Sequence, residues 1–179
     1  MQAFFSALLD LVREPVRLDG GVKTDNSILL IYPPEKELDF REYLQDSFIP
    51  QLQAERVPFR SLDLTGFLFE GLSKETLQDL QEDEFDDYRW MKQGLSTRVE
   101  AALRKRIAQL AEESPGCAVI VYNTVALHPM VRYGEVLRDL RDIQCRTVLA
   151  FPGEERGGKL HFMNQADGGN YLAVKLFWK

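Results

Sequence analysis

The sequence lacks the short motifs by which most nucleotide-binding and hydrolytic enzymes are recognised. No glycine-rich loop ending in Lys-Ser or Lys-Thr follows the first hydrophobic run, and no G-x-G-x-x-G occurs, so the usual phosphate-binding loops are missing. No serine lies in a nucleophile-elbow motif. The two histidines, His128 and His161, and the two cysteines, Cys117 and Cys145, do not have the spacing of zinc ligands. These absences favour a protein that is not an enzyme and that binds no cofactor and no metal.

Long apolar runs and targeting signals are missing as well. No run reaches the roughly 18 apolar residues of a transmembrane helix, and the first residues lack the basic and small-residue features of a secretory signal. Cys117 and Cys145 each stand at the start of a predicted buried strand, which is typical of small apolar side chains in a reducing compartment. We therefore expect a cytoplasmic protein without membrane contact.

The charge balance is acidic, with 28 Asp and Glu against 22 Lys and Arg. Broad binding to nucleic acid depends on neutralising phosphates, so direct nucleic-acid binding is disfavoured. A weaker alternative is a local DNA-contacting patch, because one predicted helix carries Arg98, Arg104, Lys105 and Arg106 on its outward face. The length of 179 residues and the 45% hydrophobic content predict one packed domain over 1–179.

The sequence predicts the order of secondary structure most clearly over residues 117–154. The continuous apolar run 117–121 predicts a strand that is covered on both faces. We expect a helix to begin at His128-Pro129, since proline is favoured at the first helical position. A return strand over 146–151 should then be stopped by Pro152-Gly153. Such a strand–helix–strand unit is nearly always parallel and right-handed. The predicted buried stripe of its helix is Met130, Tyr133, Leu137 and Leu140.

The remaining elements extend this unit into an open sheet. Residues 1–15 form an amphipathic helix that we expect to dock on its own domain, and Ser27–Tyr32 is the first buried strand. Pro50 should interrupt a helix over 36–55. Further elements are a more polar strand at 59–64, a helix at 97–111 started by a Thr97/Glu100 capping box, and C-terminal edge strands within 155–179, at 159–163 and 171–178, around a Gly168-Gly169 turn.

This order predicts an α/β fold with a mostly parallel open sheet, Rossmann-like but without a phosphate loop, with helices on both faces and an antiparallel C-terminal edge. In such folds ligands bind at the carboxyl ends of the strands. Glu35, Asn123, His128 and Glu154 should lie there, together with Thr124. They define an alternative function, a diverged nucleotide- or nucleic-acid-handling enzyme, although His128 before a proline is also typical of a turn.

A second candidate surface is the acidic stretch around 82–90, which carries interleaved aromatic residues. Acidic groups could steer a basic partner, and buried aromatics supply most of the energy of an interface. The alternative is a solvated loop with its aromatics in the domain's own core. The same two interpretations, a partner surface or packing in the domain's own core, apply to the C-terminal residues Leu176, Phe177 and Trp178. The candidate partner-binding residues of the acidic stretch are Glu82, Asp83, Glu84, Phe85, Asp86, Asp87, Tyr88 and Trp90.

Several stretches together resemble a known family. The strand and turn ILLIYPPEKELDFRE, the strand SLDL with the Phe- and Leu-rich segment after it, the segment VYNTVALHPMVRYGEVLRDL and the strand TVLAFPGE are similar to those of the BrxB-like proteins of bacterial BREX anti-phage systems. The resemblance spans roughly residues 4–154 and does not include the acidic segment 82–94 or the residues after Gly153.

This resemblance implies non-catalytic work within a multi-protein defence complex. BrxB-like proteins are expected to partner PglZ-family proteins, which have an alkaline-phosphatase-like domain, alongside a DNA methyltransferase and a large ATPase. The family offers no catalytic residues to carry over to this sequence. Together with the missing enzyme motifs, the resemblance implies an adaptor subunit that binds a PglZ-like partner and other BREX components.

Overall fold

The computed structural model of the chain describes residues 1–16, 26–70, 78, 88–140, 143–167 and 173–178. The described strands are β1 Ser27–Tyr32, β2 Phe59–Asp63, β3 Ala118–Tyr122, β4 Arg146–Arg156, β5 Lys159–Phe162, β6 Gln165–Ala166 and β7 Val174–Phe177. The described helices are α1 Gln2–Arg13, α2 Glu37–Tyr43, α3 Ile49–Ala54, α4 Tyr88–Glu113 and α5 Tyr133–Asp139.

The described strands form one mixed sheet. Its main path has the order β2-β3-β4-β1-β7, and every pairing along that path is parallel. β5 pairs with the far end of β4 and β6 pairs with β5, both antiparallel. All residues of β1 and β3 are buried, which is the burial expected for central strands with helices on both faces. The predicted α/β fold is therefore confirmed.

Helices cover the two faces of the sheet in two separate layers. On one face α4 and α5 pack against Leu29, Val119 and Leu149. On the other face α1, α2 and α3 pack against Ile28, Ile120 and Val148. Neighbouring residues of each strand point to opposite faces, so one continuous apolar strand contributes to both cores. The buried stripe of α4 is the predicted one, Val99, Leu103, Ile107 and Leu110.

The N-terminal helix docks on its own domain, as predicted. Its apolar face is buried in the second core, with Phe5 4.7 Å from the Tyr43 ring centre. The Arg146 guanidinium donates hydrogen bonds to the carbonyls of Glu14 (3.1 Å) and Pro15 (3.2 Å), just after the helix ends. A cation at a helix C-terminus is stabilising because the last carbonyls are partly negative, so this contact fastens α1 to β4.

Pro50 interrupts its helix as predicted. A π-helical turn, Leu44–Phe48, separates α2 from α3, and Pro50 lies in the first turn of α3. Proline has no N–H to donate to the preceding turn, and a widened turn relieves that mismatch.

Two predicted helix starts are wrong. Residues 128–132 form a turn with a cis His128-Pro129 peptide, and α5 begins only at Tyr133. His128 is extended, which is the conformation preferred before proline, so the pair ends a loop rather than opening a helix. The Thr97/Glu100 capping box is also wrong, since the described part of α4 already runs from Tyr88 and both residues lie inside it. The Glu100 carboxylate instead accepts a hydrogen bond from the backbone N–H of Arg132 at 3.0 Å.

Pro152-Gly153 does not stop β4, contrary to the prediction. At this point the strand exchanges parallel neighbours for an antiparallel one: Pro152 is in register with Tyr32 of β1, and Gly153 with Phe162 of β5. A Cβ at Gly153 would collide with the backbone carbonyl of His161, so only glycine permits the close approach of β5.

The C-terminal strands are also arranged differently from the prediction. β5 is antiparallel as expected, but its partner is the end of β4, reached through the two-residue turn Gly157-Gly158. Both glycines have positive φ, the conformation of a type I′ hairpin. β7 lies parallel to β1, on the side of β1 that faces away from β4, so it is not part of an antiparallel edge. The proposed Gly168-Gly169 turn lies outside the described residues.

Candidate functional site

The parallel strands β1, β3 and β4 place their carboxyl ends at one edge of the sheet, where the sequence predicted the candidate residues. Asn123 follows β3 in the left-handed conformation, with φ of 57°. Its side-chain amide donates to Asp63 Oδ1 (2.7 Å) and to Thr65 Oγ1 (2.9 Å), and the Thr65 N–H donates to Asp63 Oδ1 (2.8 Å). Asn123 therefore fastens the end of β3 to the end of β2.

The other predicted residues are spread along this edge. Glu35 is exposed in the 3-10 turn Pro34–Lys36, and Glu154 forms an ion pair with Arg156 in the hairpin. Thr124 is buried, and its hydroxyl donates to the Ala150 carbonyl at 2.9 Å. His128 is half-buried and lines a cleft, whereas Glu35, Asn123 and Glu154 do not.

The cleft has a volume of about 580 Å³ and opens at the same edge of the sheet. One wall is the part of α4 around Ser96 and Glu100, a second is the segment 128–135, and the third is β6 with Gln165, together with Asp167 directly after it. Its volume is within the range of pockets that hold small ligands or side chains of a partner. We call it the rim cleft.

Aromatic rings form a rigid floor for the rim cleft. The Phe162 side chain is buried, and its ring centre lies 5.7 Å from that of His128, 5.1 Å from that of Tyr133 and 5.1 Å from that of Phe151. Such edge and tilted ring contacts add to the stability gained from burial. The floor is therefore fixed by the core of the domain.

The charged groups of the rim cleft are mostly acidic. Among its described lining residues, Glu100, Glu135 and Asp167 carry carboxylates, and Arg132 is the one permanent cation. Arg132 lies 3.7 Å from Glu135, and its backbone N–H binds Glu100. No three of the described His, Cys, Asp and Glu side chains lie close enough together to hold a metal ion, so these carboxylates do not converge on one point.

Tyr133 lies beneath the rim cleft and supports its wall. Its hydroxyl donates to the Thr124 carbonyl at 2.5 Å. Burial first, and the negative charge of Asp167 next, raise the pKa of Tyr133 well above its ordinary value. The hydroxyl thus remains a proton donor to the backbone.

Of the residues that line the rim cleft, His128 was named from the sequence as a candidate at this edge, but Glu100, Arg132, Glu135 and Asp167 were not. Glu100 was assigned to a helix cap, and the position of β6 and Asp167 beside the cleft depends on a hairpin that the sequence analysis did not locate. The available signal was the charged segment that directly follows His128-Pro129, namely Arg132 and Glu135 after the carboxyl end of β3.

The acidic stretch lies largely outside the described residues. Glu82, Asp83, Glu84, Phe85, Asp86 and Asp87 are not described, and of Tyr88 and Trp90 only the helical backbone in α4 is. At the C-terminus, Trp178 packs in the core against Phe4 and Tyr32, with ring centres at 6.3 and 6.4 Å. Phe177 remains 41% exposed.

One comparison with known proteins identifies the family. The family model described as BREX protein BrxB matches residues 61–176, which is more than half of the chain. The match includes the segment 82–94 and the residues after Gly153, which the sequence resemblance left out, and it does not include the N-terminal part. A search of curated proteins and a search of solved structures returned no match.

The fold and the rim cleft define an α/β domain with an acidic cleft at the carboxyl ends of a parallel sheet. The chain belongs to the BrxB family, whose members are components of BREX phage-defence systems. No helix among the described residues has both the length and the apolar character needed to cross a membrane.

Proposed function

We propose that this protein is a non-catalytic adaptor subunit of a BREX-type anti-phage complex and that it binds a PglZ-like partner protein. Membership of the BrxB family supports work within such a complex. The observation that carries the adaptor role is the use of the polar groups at the sheet edge. Asn123 joins two strand ends, Thr124 binds a backbone carbonyl, and Glu154 pairs with Arg156. Each of these polar groups is paired with another group of the same domain. Such pairing stabilises the domain, as a binding scaffold requires.

The acidic stretch 82–87 is the first proposed partner surface, together with Tyr88 and Trp90. Complementary charge speeds the encounter of two proteins, and aromatic anchors slow their dissociation. The net charge of −6 makes a basic partner surface the natural complement.

Co-expression with a PglZ-like protein from the same defence system tests the adaptor role. We expect the two proteins to co-purify and to remain associated during gel filtration at micromolar concentration. Separation of two folded proteins under these conditions would overturn the proposal.

Charge-neutralising substitutions test the acidic stretch separately. Asp86→Asn/Asp87→Asn should slow association with the partner several-fold at low salt, since steering depends on long-range charge. Glu112→Gln/Glu113→Gln removes the same two charges from exposed positions at the other end of α4 and is the matched control. Equal association rates for both double variants would remove this surface from the proposal.

The alternative function, a diverged nucleotide- or nucleic-acid-handling enzyme, is favoured by one observation: a cleft that contains His128 lies at the edge where α/β enzymes bind ligands. The triple variant Glu35→Ala/His128→Ala/Glu154→Ala tests it. Loss of phage defence with an unchanged melting temperature and unchanged co-purification would support the enzyme. Full defence by the variant would exclude essential chemistry at these residues.

A further inference from the structure

The rim cleft is lined by both apolar and polar side chains, which suits a side chain with an apolar stem and a polar end. Its floor is the buried ring of Phe162, and Pro129 and Val131 line it beside that ring. Its upper walls carry the polar groups of Ser96, Glu100 and Gln165. Lysine and arginine side chains bury their aliphatic stems on apolar surface while the charged end stays among polar groups, so an apolar floor beneath a polar rim is complementary to them.

The charges of the rim cleft also select a cation. Three carboxylates line it, and the Arg132 guanidinium already lies 3.7 Å from one of them, Glu135. A phosphate group would meet an excess of negative charge there, whereas a guanidinium or ammonium group would be attracted by the excess of carboxylates over the single guanidinium of Arg132. Asp167 is only 9% exposed, and charge interactions are stronger where water is partly excluded.

We infer that the rim cleft receives an arginine or lysine side chain of the partner protein, which makes it a second contact surface, distinct from the acidic stretch. This inference rests on the proposed adaptor function. The occupant is a segment of a folded or extended protein rather than a nucleotide, because the carboxylates at the rim repel phosphates.

The test uses the complex of the full chain with its PglZ-like partner and measures its dissociation constant by calorimetry or interferometry. Glu100→Gln/Glu135→Gln removes two charges from the cleft without changing its shape, and the glutamine introduced at position 100 keeps an oxygen that can accept from the Arg132 N–H. We expect binding to weaken by about tenfold or more and to become less sensitive to salt. Glu112→Gln/Glu113→Gln, which makes the same change in net charge at the far end of α4, should bind like the wild type.

The single variant Glu135→Lys provides an independent check at an exposed position. It should weaken binding at least as strongly, with a melting temperature near that of the wild type, because an ion pair at this exposure contributes little to stability. Wild-type affinity in both cleft variants, or equal weakening in the control, would overturn the cleft inference and leave the adaptor function intact. If the wild-type chain does not bind the partner at all, both the adaptor function and the cleft inference are wrong.

Discussion

The hydroxyl of Tyr133, at the start of α5, donates a 2.5 Å hydrogen bond to the backbone carbonyl of Thr124, in the turn after β3. Both residues are buried, and Thr124 in turn donates from its own hydroxyl to the Ala150 carbonyl of β4. Through these two hydrogen bonds, α5 is connected to the turn after β3, and that turn is connected to β4. They hold the wall of the rim cleft in place.

Tyr133→Phe should therefore destabilise the protein. The substitution leaves the Thr124 carbonyl buried without its donor, which costs about 1–2 kcal/mol of unfolding free energy. Urea denaturation followed by circular dichroism measures the change. Tyr43→Phe, which removes a hydroxyl from a half-buried ring packed on Phe5, is the control and should cost less. Equal stability of Tyr133→Phe and the wild type would show that the hydrogen bond contributes nothing.

The exchange of β4 partners at Gly153 gives a second prediction. Gly153→Ala places a methyl group against the His161 carbonyl, a backbone atom that can move only if β5 moves. Overpacking of this kind costs about 1–3 kcal/mol. Gly94→Ala is the matched control because its added methyl meets no atom within 4 Å, and alanine is favoured in the exposed part of α4.

Thermal unfolding of the two alanine variants decides the matter. Gly153→Ala should melt several degrees below the wild type, and Gly94→Ala at or above it. A Gly153→Ala protein that melts like the wild type would mean that β5 does not need to approach β4 so closely.

The strands and their burial were largely predictable from the sequence. The apolar run of β1 was found at its observed bounds, Ser27–Tyr32, and the stripe from Val99 to Leu110 was identified by its helical spacing. Both signals are local, since a strand covered on two faces must be apolar throughout and a helix must bury one side.

The rim cleft could not be predicted because it depends on non-local pairings. Gly157-Gly158 forms the hairpin that pairs β5 with β4, but a Gly-Gly pair is a general turn signal, so local sequence does not show which strands it joins. The capping-box pattern at Thr97 and Glu100 likewise occurs inside a helix that continues on both sides. The role of Glu100 is set by the Arg132 backbone, 32 residues further along the chain.

Both cysteine thiols should be unreactive in the folded protein. Cys117 and Cys145 are fully buried, and burial raises the pKa of Cys145 to about 12 and the pKa of Cys117 above its ordinary value. With its pKa raised to about 12, Cys145 has far less thiolate than an ordinary cysteine at about pH 8. Reaction with a maleimide should be very slow in the native state and fast for both thiols in guanidinium chloride. Rapid labelling of the native protein would contradict the buried positions.

The Asp63 carboxylate should make stability depend on pH in the acidic range. Partial burial raises its pKa, but hydrogen bonds from Asn123 and Thr65 outweigh burial, and the pKa lies below its ordinary value of 3.8. A carboxyl group with a lowered folded-state pKa contributes stability above its unfolded-state pKa and loses it as the pH falls through the folded-state value.

Asp63→Asn should therefore be less stable than the wild type near neutral pH, by at most about 1 kcal/mol because the group is exposed to solvent. The difference should shrink below about pH 4, where the wild-type carboxylate begins to be protonated. Urea midpoints of both proteins over this pH range measure it, and a difference that stays constant with pH would show that the carboxylate charge does not join the ends of β2 and β3.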